Sequence, residues 1–343
     1  MKPYFLLFSA VFAAGFSGAA LANPTYTEFD APGEQSTYAG AKSPDGNMLC
    51  FTVDQNGVFA GWLRTPMGNF VNFGAAQPTD INSSDAITGY VQDPNNGPLH
   101  GILADVTGSY TTFDVPGAAG LGTEGVYIND RGEVAGIYFD AANAAHMFLR
   151  TQHGKITKFD APGAGTTGGT GTFPGGLTKD GIASGYFVDA HNVYHGYIRA
   201  QDGTITTLDI QGAGTGALQG TRAYGFSSKG ILSGDFVDQT GVRHGFTRTP
   251  DGQITVIDYP GALGTYGGSF NSWGKMVGRY VDWSYVSHGY IRSKSGTMST
   301  FNEPHASPIN HRGAFPAGID DDGVIWGDYS DSKGIEHGFI RTP

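Results

Sequence analysis

Two groups of residues in this sequence could do chemistry. The stretch from Asn302 to Gly313 gathers Glu303, His305, His311 and Arg312, side chains that can move a proton or hold an anion. The second group follows a recurring glycine: Tyr90, Ile137, Tyr186, Asp235, Arg279 and Asp328 occupy one equivalent position, and its last three members are charged. With His305, His311 or a tyrosine as base, and Arg279 or Arg312 neutralising a substrate carboxylate, the set would suit β-elimination of a uronic-acid polymer. Asp235 and Asp328 could instead serve as the paired carboxylates of glycoside hydrolysis. A structural ion-pair girdle is the plainer reading of the Asp-Arg-Asp row, and it ranks first. Trp283 and Tyr285, with His191 and Tyr194 in the equivalent loop of another repeat, offer aromatic faces on which a ligand could rest. His305 and His311 lie six apart in a Pro-containing loop, a spacing that fixes no coordination geometry, so neither a metal nor a cofactor is expected.

All of these residues are departures from a repeat. Its clearest copy runs from Gly185 to Ala213, and its core His-Gly-aromatic recurs at His195, His244, His288 and His337, with variants at His100 and His146. In a further copy, Ala60-Gly61-Trp62, the histidine is lost. These marks fall at 60, 100, 146, 195, 244, 288 and 337, and a period in the forties with strand-like content indicates propeller blades. Four short strands can be read in each period, bounded by Asp-Gly, Asn-Gly or lone Gly turns. The chain stops after a third strand, His337 to Arg341, while an orphan fourth strand begins near Tyr26. Pairing the two would complete a blade and remove an open seam. The expected fold is all-β, a seven-bladed β-propeller of four-stranded antiparallel blades, forming one domain over 23–343.

Aspartates precede the third strand at 54, 93, 140, 189, 238, 282 and 331, and a histidine follows six of them. A metal or proton-transfer centre needs one convergent site. A pair copied around a ring more simply fixes a turn in each blade. The His-Gly-Phe/Tyr-Ile-Arg core, with its preceding Asp and the following Phe-Asp-x-Pro-Gly-Ala, resembles the HAF-type probable extracellular repeat, over 26–343. That resemblance implies an exported bacterial protein and carries no single activity.

Residues 1–22 read as a signal peptide, with Lys2, an apolar run and Ala20-Leu21-Ala22. No later stretch has the length of a membrane span. The chain has 20 basic and 31 acidic residues and a net charge of −11, with the basic ones scattered, which disfavours nucleic acid and anionic membranes. Cys50, the single cysteine, sits among apolar neighbours and reads as a buried hydrophobe. The expectation is a secreted or periplasmic monomer that binds extracellular carbohydrate or another small ligand at the propeller mouth. The alternative is a polysaccharide lyase at the same place. Binding is preferred because no constellation matches a catalytic motif at its spacing.

Overall fold

The computed structural model describes residues 23–33, 36–54 and 58–343, so the expected signal peptide lies outside the described residues. These residues form 29 strands, grouped into seven four-stranded antiparallel blades. Blade 3 is typical: Thr123–Ile128, Val134–Phe139, Ala145–Arg150 and Ile156–Phe159. Blade 5 comprises Gly220–Phe226, Leu232–Val237, Arg243–Arg248 and Ile254–Ile257. In blade 6 the inner strand is broken into Gly264–Thr265 and Ser269–Phe270, followed by Met276–Val281, Ser287–Arg292 and Met298–Phe301. Blade 7 takes Ala314–Ile319, Ile325–Ser330 and Glu336–Thr342 from the C-terminus and its outer strand, Thr25–Phe29, from the N-terminus. Thr25 pairs with Thr342 and Phe29 with Gly338, the closure that the orphan strand required.

The repeated phrase packs one blade on the next. Phe148, Tyr197, Phe246, Tyr290 and Phe339, the aromatics of the core phrase, are fully buried. In blades 6 and 7 the glycine before the aromatic makes room for an outer-strand ring: a Cβ at Gly289 or Gly338 would come within 2.4 or 2.2 Å of Phe301 or Phe29. The arginine ending the third strand reaches across the blade boundary. Arg64, Arg150, Arg199 and Arg341 lie 4.9, 5.0, 4.7 and 5.4 Å from the rings of Phe29, Phe113, Phe159 and Phe301 in the preceding blade. Each such cation–π contact contributes about 1 kcal/mol.

Second and fourth strands end on the same side of an antiparallel blade. The turns between second and third strands therefore share one face with the links between blades. Here single parallel bridges join neighbouring blades, for example Tyr194 to Gly220 and Ser287 to Gly313. On the opposite face, Asn82 donates to the Asn129 carbonyl and Asn129 to that of Thr178, at 2.9 and 3.1 Å, tying successive blades.

Candidate functional site

The six repeated histidines are structural clamps. His195 donates from Nδ1 to Asp209 at 2.9 Å, its Nε2 lies 3.7 Å from Asp189, and its ring stacks on Phe187 at 4.7 Å. His244 does the same with Asp258, Asp238 and Phe236, and His337 with Asp30, Asp331 and Tyr329. In blade 6, Asn302 replaces the outer aspartate beside His288. The preceding aspartate also builds its own turn: Asp189 Oδ1 accepts from the amides of His191 and Val193 at 2.8 and 2.9 Å. The expectation of blade-local roles thus holds. It missed the second carboxylate, at the end of the outer strand.

The position after the recurring glycine forms cross-strand pairs with the inner strand. Tyr38 stacks on Phe51 and Phe173 on Tyr186, with ring centroids 4.6 and 5.1 Å apart, and Tyr90 donates to Gln77 at 2.7 Å. In blade 5 the pair is Arg222 and Asp235. Asp235 has no exposed surface; it accepts from Arg222 Nε and Nη2 at 3.2 and 3.1 Å, from Arg243 Nη1 at 2.6 Å, and from Tyr224. Burial works against the Arg222 charge, but Asp235 and Tyr224 outweigh it and hold its pKa above the ordinary value. Burial also pushes the Asp235 carboxyl up, against Arg222 and Tyr224. The two directions oppose each other; with two guanidinium groups and a hydroxyl converging on it, the ionised carboxylate is the form this geometry selects. Asp235 is therefore the centre of a structural ion cluster, in line with the girdle reading.

Asp328 sits differently. Burial and the neighbouring Glu336 carboxylate raise its pKa well above the usual range, against the Ala39 amide and Arg279. Among the described residues no cation is within ion-pair distance of it; it stands in blade 7 and Asp235 in blade 5, and the Arg279 charge of blade 6 acts on both.

Arg279 differs from both carboxylates in its surroundings. No carboxylate among the described residues lies within ion-pair distance of its guanidinium, which is 3.8 Å from the Tyr266 ring centroid and 5.5 Å from that of Phe315. Arg243 approaches the same Tyr266 ring at 4.8 Å. These four residues line a cleft of about 360 Å³ between blades 5, 6 and 7, together with Tyr285, Ser287 and His311. The blade 6 turn and the loop entering blade 7 meet here: the His311 amide donates to the Tyr285 carbonyl at 2.8 Å, and the two rings are 5.7 Å apart. Both residues hold left-handed backbones, at φ of 60° and 62°. This conformation is uncommon outside glycine, and both side chains remain exposed.

Of the residues singled out in sequence, Arg279, Tyr285 and His311 converge. Trp283 is 74% exposed in the same turn as Tyr285. His305 departs from its expected place at the mouth: it reaches Glu28, on the outermost strand of blade 7. Arg312 donates to the carbonyls of Asp331 (3.3 Å) and Ser332, clasping the blade 7 turn. His191 stands exposed beside Asp189, while Tyr194 packs edge-on against Tyr186, 5.3 Å from Arg222. Arg243, Tyr266 and Phe315 were missed. Arg243 was findable, because the residue before each repeated histidine also varies from blade to blade, as Leu99, Ala145, Tyr194, Arg243, Ser287 and Glu336.

No protein-family model matches this chain, and no curated protein does. Solved structures do. The β-propeller domain of the trilobed protease from Pyrococcus furiosus, of open velcro topology, is similar at a TM-score of 0.58 and 10% identity, over 89% of this chain and 95% of that one. The BP39L lectin from Burkholderia pseudomallei is similar at 0.54 and 12%, over 90% and 99%. A prolyl endopeptidase is similar at 0.55 and 11%, over 87% of this chain and 47% of the enzyme. At such identities the likeness is one of fold. The chain is a seven-bladed β-propeller closed by its own N-terminal strand, and among the described residues no helix is long and apolar enough to cross a membrane.

Proposed function

We propose that this protein is an exported binding propeller whose cleft between blades 5, 6 and 7 takes an acidic saccharide. The observation that carries this reading is the pair of guanidinium groups over Tyr266: among the described residues no carboxylate lies within ion-pair distance of Arg279, and Arg243 commits only Nη1 to Asp235. In a chain of net charge −11 this is a local positive spot flanked by aromatic faces. A carboxylate can bridge the two arginines while a sugar ring lies on Tyr285. A protease domain and a lectin share the scaffold, so the fold does not choose the ligand, and the reading is supported by the cleft alone. Export and kinship to the HAF-type repeats belong to the same proposal, supported by the leader-like residues 1–22 and by the repeated phrase.

The second reading, a lyase, is favoured by one observation: Tyr285 and His311, both able to take a proton, share the cleft with Arg279. Titrating the purified protein with uronic-acid oligosaccharides and their neutral counterparts, while following the absorbance of unsaturated uronic ends, decides between the two. Expected is binding of the acidic series only, weakened roughly tenfold or more in Arg279→Ala, since a hydrogen bond to a charged group is worth about 1.5–3 kcal/mol. Unsaturated ends that vanish in His311→Ala would establish the lyase. Equal binding of neutral and acidic sugars, or binding of neither, would overturn the proposal.

A further inference from the structure

The stretch that departs most from the repeat carries a second, separate site. In the phrase Phe-Asp-x-Pro-Gly-Ala, the x position is apolar and buried in four other copies, at Ala31, Val115, Ala161 and Ile210, and is the half-buried Tyr259 in blade 5. Between blades 6 and 7 it is Glu303, 2% exposed, and His305 stands where the others have glycine. A carboxylate has been placed in an apolar slot. One of its oxygens, Oε2, accepts the His305 amide at 2.6 Å; the other, Oε1, is buried with no hydrogen-bond partner and lies 3.7 Å from His305 Nδ1. Glu28, from the N-terminal strand, completes the group: its Oε1 meets His305 Nδ1 and its Oε2 accepts from Tyr329 at 2.8 Å. One ligand atom from each of Glu28, Glu303 and His305 lies within 4.8 Å of the others.

We propose that Glu28, Glu303 and His305 bind one divalent cation of the zinc class. A buried carboxylate oxygen without a donor is costly, and two carboxylates this close repel each other; a cation answers both. Zinc ligands at about 2.0–2.2 Å from the ion stand roughly 3.4 Å apart. The exposed Glu28 and His305 side chains can adjust to that spacing around the fixed Glu303. An imidazole nitrogen beside two carboxylates selects zinc-like ions over calcium and magnesium, and Tyr329 orients Glu28 as an outer-shell donor. The exposed side of His305 leaves a position for water. The expectation of no metal rested on pairing His305 with His311; the loop instead gives His305 two glutamates as partners. Because Glu28 belongs to the closing strand, the ion would staple that strand to the blade 6–7 link.

The test is to strip the purified protein with chelator and titrate zinc, following heat and melting temperature together. Expected is one equivalent bound and a melting temperature raised by several degrees, with both lost in Glu303→Ala and His305→Ala and kept in His191→Ala. Glu303→Ala should stay folded, since Ala31 and Ala161 fill the same slot elsewhere. Tyr329→Phe should weaken binding about tenfold. No binding would overturn the proposal, as would binding unchanged in both ligand variants, which would place zinc at the repeated His-Asp pairs. An equal response to calcium would overturn the zinc-class assignment.

Discussion

Asp235 and Arg279 occupy the same position in successive blades and behave in opposite ways. Asp235 spends its charge on Arg222 and Arg243, while Arg279 keeps its own available over Tyr266. Replacing Asp235 by alanine would leave two guanidinium groups crowded together without their carboxylate. The expected loss is about 3 kcal/mol, the lower end for breaking a buried pair because both arginines are partly exposed; denaturant melts of the variant check it. A methionine at Arg279, by contrast, breaks no ion pair and should cost only about 1 kcal/mol, the worth of its cation–π contact with Tyr266. Sequence reading singled out Asp235, Arg279 and Asp328 as one row but could not separate them. Arg222 faces Asp235 only through the inner-strand register, and Arg243 only through the hairpin that follows, and neither pairing is a property of the row itself.

At the scale of the blade, the turn before the third strand carries the electrostatics. The carboxyls of Asp189, Asp238, Asp282 and Asp331 are partly buried, which alone would raise them, yet backbone amides and the adjacent histidine, joined at Asp238 by the Thr240 hydroxyl, hold each below the ordinary aspartate value. Asp140 is lowered first by the Ala144 amide. A carboxyl depressed in the folded state contributes stability above its unfolded pKa and loses it as pH falls through the folded pKa. The propeller should therefore keep these contributions near neutral pH and lose them together as pH drops below about 4. Melting temperature against pH tests this, and in Asp189→Ala, which loses two amide bonds and roughly 1 kcal/mol at neutral pH, the acid decline should be shallower. The strands and this aspartate–histidine spacing were plain from the sequence because both are local. The outer-strand partner was not: Asp209 lies fourteen residues beyond His195 and meets it only when the outer strand pairs back on the third.

Over the whole molecule, stability depends on closing the ring. Phe29 packs over Gly338 and lies 4.9 Å from Arg64, so one ring of the N-terminal strand links blade 7 to blade 1. A Cβ at Gly338 would come within 2.2 Å of that ring. Gly338→Ala should destabilise by about 1–3 kcal/mol through overpacking, while Gly33→Ala, where a Cβ meets nothing within 4 Å, tests the backbone cost alone at φ 77°; thermal melts of the two separate packing from strain. The sequence by itself determined the number of blades, most of their strands and the closure, because a repeat writes the same local pattern seven times and the strand near Tyr26 supplies the one that the blade ending at Arg341 lacks. It did not determine the sites. Arg279, Tyr285 and His311 converge with Arg243, Tyr266 and Phe315, while His305 turns away to Glu28, because a site on a ring is assembled from three blades at once. Which loop residue faces the cleft and which faces the rim is set by the path of the chain between blades, and that path is fixed by packing rather than by spacing.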